Sequence, residues 1–110
     1  MILALAAALA AAAPPPCPDV VTAEAFICRA IHATADNQPE AAAAAFEQAA
    51  LASDSANPET ARLWAAAGNS WISANQPGKA AVALDRALTG TRLQAEQRGE
   101  ALLDRARAAE

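Results

Sequence analysis

The tripeptide Asn37-Gln38-Pro39 returns as Asn75-Gln76-Pro77, 38 positions further along the chain. Each copy interrupts a stretch of helix-favouring residues, and the register extends to both sides. Ahead of the tripeptide, Phe26, Ala30 and Ala33 match Trp64, Gly68 and Trp71; after it, Ala42, Phe46 and Ala49 match Ala80, Leu84 and Ala87. A repeat of this length in a helical chain marks stacked helical hairpins, because one hairpin cannot bury its apolar face alone.

Local signals place the helix ends. Asp19 and Thr22 are N-cap candidates, with Glu24 in the first turn. Asn57-Pro58-Glu59 is a start signal: a capping side chain, a proline whose missing N–H costs nothing there, and an acid near the positive end of the dipole. Gly90 suits a C-terminal cap, and Thr91 and Gln94 have capping-box spacing. Helices are expected near 22–36, 39–53, 58–74, 77–89 and 92–109. The short connections favour antiparallel pairs. Composition agrees. Roughly a third of the 110 residues are alanine, the best helix former and a poor strand former. The expected class is all-α, with antiparallel helical hairpins stacked as a short solenoid in a single domain.

The second unit carries a family likeness. Trp64, Ala67, Gly68 and Trp71, then Ala80, Leu84 and Ala87, resemble a tetratricopeptide (TPR) repeat. The residue types make physical sense: small residues stand where helices cross closely, and large ones fill the space beside the crossing. There are departures. Arg92 stands where the family has a closing proline, and Arg29 of the first unit replaces a small residue. Arg98-Gly99 with Leu102 resembles the crossing once more, in a third unit that begins at Leu93. The likeness covers residues 22–110: hairpins at 22–53 and 58–89, then a single helix at 92–109. That helix reads either as a polar cap or as the start of a third repeat in a longer array.

The resemblance implies a concave groove, lined by the first helix of each hairpin, that holds a peptide or a partner's helix. Registered on Trp64 and Gly68, its residues would be Arg62, Ala65, Asn69, Ile72 and Ser73, with Glu24, Ile27, Ile31 and Thr34 in the first unit. Asn69 could bond a peptide backbone and Arg62 a carboxylate. Ala65 occupies the place of the lysine with which some members clamp a terminal carboxylate, so no such clamp is expected. The alternative for these positions is a merely solvated face. Trp64 and Trp71, two helical turns apart, are expected in the core rather than on a binding surface.

Met1–Ala13 has no polar side chain. It is shorter than the ~20 apolar residues of a membrane span. It reads as a secretory signal peptide, with Ala10-Ala11-Ala12 as a cleavage site that leaves Ala13 first. No Lys or Arg precedes the run, and the alternative is a helix packed on the domain. Residues 14–21 form a proline-rich leader. Export to the periplasm would put Cys17 and Cys28, the only cysteines, in an oxidising compartment that permits a disulfide. A closed loop of about twelve residues is worth on the order of 3 kcal/mol. Otherwise Cys28 is buried and Cys17 exposed.

The net charge of -4 argues against nucleic acid, which needs a basic face. With one histidine, His32, no nucleophile elbow and no phosphate loop, neither catalysis nor a small-molecule substrate or cofactor is expected. Cys28 and His32 share a helix face, and Cys17 could join them as zinc or copper ligands; three ligands are too few for a closed structural site. The expected function is a protein–protein scaffold of the bacterial envelope that meets the membrane only through its signal peptide; the sequence leaves self-association open, and an exposed end with an unpaired apolar helix would favour dimers. The alternatives are a cytoplasmic TPR fragment and a small metal or redox protein using Cys17, Cys28 and His32.

Overall fold

A computed structural model describes residues 15–89, 93 and 95–109. The expected signal peptide, and the cap signals at Gly90, Thr91 and Gln94, lie outside them. Among the described residues the fold is entirely helical: α1 (Ala23–Ala35), α2 (Pro39–Ala52), α3 (Pro58–Ser73), α4 (Pro77–Leu88) and α5 (Ala95–Ala109). Consecutive helices pack on one another, and α3 also touches α5.

The repeated tripeptide builds the same turn twice. Asn37 (φ 57°) and Asn75 (φ 59°) adopt the left-handed conformation, which asparagine tolerates better than other side-chain-bearing residues. The following N–H groups reach back five residues, Gln38 to the Ala33 carbonyl at 2.8 Å and Gln76 to that of Trp71 at 2.9 Å. The asparagine N–H groups bond Thr34 and Ile72 at 3.1 and 3.0 Å. This is the Schellman pattern, which satisfies the last carbonyls of a helix. Pro39 and Pro77 then start the next helix at a position that needs no N–H. Three residues thus end one helix, reverse the chain and begin another. The other starts use side chains. Thr22 Oγ1 accepts from the Ala25 N–H at 3.2 Å, and Asn57 Oδ1 from that of Glu59 at 2.9 Å; Asp19 caps no helix.

Packing follows the repeat. Ala30 and Gly68, Ala42 and Ala80, Ala49 and Ala87 are buried in matching positions. A Cβ placed on Gly68 would fall within the Leu84 side chain, so α3 and α4 approach as closely as they do only because Gly68 has none. Trp71 is 4% exposed, and its indole N–H donates to Glu47 of α2 at 2.9 Å. Trp64 is half-buried between two core clusters, with Arg86 over its ring at 4.5 Å.

The last helix differs from expectation. Gly99 is exposed, and a Cβ there would meet nothing. Leu102 is 52% exposed, while Ala101 and Leu93 are buried instead. A crossing glycine is needed only where a second helix of the same hairpin packs, and none follows among the described residues. The buried stripe of α5 is set by α3 and α4, and runs through Gln97, Ala101, Asp104 and Ala108 at helical spacing.

The Gly68–Leu84 contact predicts non-additivity. Gly68→Ala gains about 1 kcal/mol of helix propensity and loses ~1–3 kcal/mol to overpacking. Leu84→Ala should cost ~2–5 kcal/mol by leaving a cavity. In urea unfolding the double variant should lose less than the sum of the two; strict additivity would mean that the crossing is looser than described. Trp71→Ala should cost ~3–5 kcal/mol in the same assay, and a fully stable variant would place the ring in solvent.

Candidate functional site

The seam between α3 and α5 opens into a groove of about 370 Å³. Its floor is small and apolar: Ala65 and Ala66 of α3, with Leu93 and Ala101. Its rims are polar. Arg62 donates through Nε to Gln97 Oε1 at 3.3 Å and pairs through Nη1 with Glu59 at 3.1 Å. Two turns on, Asn69 Nδ2 donates to Asp104 Oδ2 at 3.1 Å, and the other oxygen of Asp104 pairs with Arg107 at 3.1 Å. Glu100 stands between these two bridges.

On the other side of Asn69 lies a smaller hollow, about 130 Å³, bounded by Thr34 and Asn37 at the end of α1 and by Ser70 and Ser73 of α3. Asn69 borders both spaces. Of the residues expected in a groove, Arg62, Ala65 and Asn69 line the larger space, and Ser73 and Thr34 the smaller. Ile72 lies a turn further along the α3–α5 seam, packed on the core and bordering a separate hollow with Arg107 and Ala108. Ile27 packs against the cluster around Leu63, and Glu24 and Ile31 are exposed. Sequence reasoning missed Ala66, Gln97, Glu100, Ala101 and Asp104. For the four on α5 the signal was the stripe of that helix, which the match at Gly99 put out of register.

A second cluster ties the leader to α1. Cys17 and Cys28 form a disulfide. Arg29 donates to the carbonyls of Pro18 and Val20 at 2.8 and 2.6 Å, and its guanidinium lies 5.0 Å from the centre of the Phe26 ring. His32 Nε2 is 3.9 Å from Cys28 Sγ. Arg29 matches Ala67 of the second unit, which is fully buried in the cluster that includes Ala43 of the preceding helix. The first unit has no preceding helix among the described residues. There the strap of residues 15–22 lies against α1, and the long polar side chain of Arg29 holds it.

The strap makes a stability prediction. Reduction of the disulfide, or Cys17→Ser, should lower unfolding free energy by on the order of 3 kcal/mol, the chain-entropy value for so short a loop. The two treatments should give the same urea midpoint and should not add. An unchanged midpoint on reduction would show that the strap is not held in solution as described.

No described helix is long and apolar enough to cross a membrane. Comparison with known proteins finds no match: no family model, no curated protein and no solved structure matches the chain.

Proposed function

We propose that this chain is a short TPR-like scaffold of the bacterial envelope, and that the α3–α5 groove receives an extended peptide or a helix of a partner protein. The observation that carries this reading is the repeat in three dimensions. Two identical Asn-Gln-Pro turns stand at one spacing, with small residues buried at matching places on either side. In the family that the sequence resembles, such units stack so that their first helices share the concave side. On that reading α3 and α5, which pack on one another, would be two such helices. The groove offers what a peptide needs: a floor of small apolar side chains and rims bearing amide and carboxylate groups.

Two observations favour the envelope. A disulfide between the only two cysteines is at home in an oxidising compartment. The apolar run at 1–13 has the composition of an export signal. Mass spectrometry of the protein from its native host should find a first residue near Ala13; a retained Met1 would remove export from the proposal.

Groove binding is tested with peptides selected on the immobilised protein from a random display library and measured by isothermal titration. Asn69→Ala is an ambiguous probe, because Asn69 also bridges to Asp104 of α5. Ala66→Arg is cleaner, since it fills the floor and leaves both bridges in place. It should weaken binding by at least about tenfold, equivalent to 1.4 kcal/mol. Selected peptides that bind Ala66→Arg as well as the parent would place binding elsewhere on the molecule.

A further inference from the structure

We infer that Cys17, Cys28 and His32 form a two-state site: oxidised, a disulfide that locks the strap; reduced, a binding site for one copper(I) ion. Their donor atoms, two sulfurs and one imidazole nitrogen, all lie within 4.8 Å of one another, and all three residues are half-buried. Ligand atoms placed ~2.0–2.3 Å from a metal stand roughly 3.5–4 Å apart. The 3.9 Å between Cys28 Sγ and His32 Nε2 already has that spacing. They are four residues apart on α1, so the helix itself fixes the pair.

The third ligand stays close without the disulfide. Arg29 holds the strap through the carbonyls of Pro18 and Val20, on the far side of Cys17 from the leader's start. Those two bonds do not involve sulfur, so opening the disulfide leaves Cys17 opposite Cys28. The same guanidinium places a positive charge beside a site that would carry one negative charge, two thiolates on a single monovalent cation.

The choice of ion follows from the ligands. Two thiolates and one imidazole are a soft set that selects copper(I). Zinc prefers four ligands, and only three gather among the described residues. The chemistry balances in two steps. A dithiol reductant supplies two electrons and two protons: one thiolate attacks a disulfide sulfur, and the second releases the mixed disulfide, leaving two cysteine thiols and an oxidised reductant. Copper(I) then displaces the two thiol protons, with no further electron transfer.

The test uses the full chain, reduced with a phosphine and desalted under anaerobic conditions, and titrated into the copper(I)–bicinchoninate complex. The reduced protein should withdraw one equivalent of copper. The oxidised protein and Cys17→Ser/Cys28→Ser should withdraw none. His32→Ala should bind more weakly by more than about tenfold, since even changes outside the ligand shell cost roughly 10–100-fold. X-ray absorption should show two sulfur ligands and one nitrogen, and copper(I) should raise the melting temperature of the reduced chain. The proposal is overturned by any of four results: no copper withdrawn by the reduced chain, equal binding by His32→Ala, preference for zinc at equal concentration, or loss of helical circular dichroism on reduction.

Discussion

The close approach of α3 to α4 at Gly68 and Leu84 is the constraint on which the arrangement depends. Leu84 is the largest fully buried side chain, and it occupies the volume that a Cβ on residue 68 would need. A chain so rich in alanine cannot fill a core with bulk. It can only remove space, by bringing backbones together until small side chains are in contact. Ala43, Ala67, Ala80, Ala83 and Ala87 are each nearly or wholly buried around that crossing, and Trp71 and Leu93 close the space left at its ends. Each buried methyl contributes little alone, and the sum requires close packing at every one of them. The turns have to cooperate. Two helices that cross so tightly cannot be joined by a loose loop, and the left-handed asparagine followed by proline supplies a short link with its backbone groups satisfied.

A stack of hairpins exposes a face at each end. Among the described residues, the first end is met by a strap held through side-chain chemistry. Where the second unit has Ala67 packed within the core, the first has Arg29, whose reach suits a strap of extended backbone instead of a neighbouring helix. The disulfide fixes the strap at one point and Arg29 at two more. At α5 no such device is present among the described residues, and Leu102 and Leu103 are more than half exposed, at 52% and 56%. Among the described residues the two sides are therefore physically unlike: α1 carries a cross-linked strap, and α5 carries exposed leucines.

Much of this was legible beforehand, for reasons that can be stated. The helices from α1 to α4 fall within a residue of their expected bounds because Asn, Pro and Thr act locally: a capping oxygen or a missing N–H works on backbone two or three residues away. The Gly68 crossing was legible because the 38-residue register matches it to the small Ala30, and the Trp71 core position because the family likeness places a large residue there. Two things were not. Arg29 read as a departure from the pattern, since its partners are carbonyls of an irregular strap with no repeat to place it. Gly99 read as a crossing because it is a glycine after an arginine, when burial on α5 is decided by which face α3 and α4 leave for it. That is a tertiary fact, and the stripe through Ala101 carried it more weakly than one conspicuous glycine.

The groove and the attachment of α5 share their residues, which bears on how the proposed binding would work. Among the residues whose burial is described, the buried apolar contribution of α5 is Ala101, with Leu93 just ahead of the helix. Its remaining ties to the rest of the fold include Gln97 to Arg62, Asp104 to Asn69 and Arg105 to Asp85. The exposed ion pair among these is worth only ~0–1 kcal/mol. Few buried contacts and exposed polar bridges put α5 at the low-stability end of the fold. A peptide in the groove would compete for Asn69 and Gln97 while covering Ala66 and Ala101. Its net effect on α5 is then the apolar area it covers set against the bridges it displaces. A ligand that covers the floor and leaves both bridges intact would hold α5 in place, whereas one that takes Asn69 from Asp104 would loosen it. Affinity at this groove and the order of α5 are thus linked through the same side chains, and linkage of this kind is reciprocal.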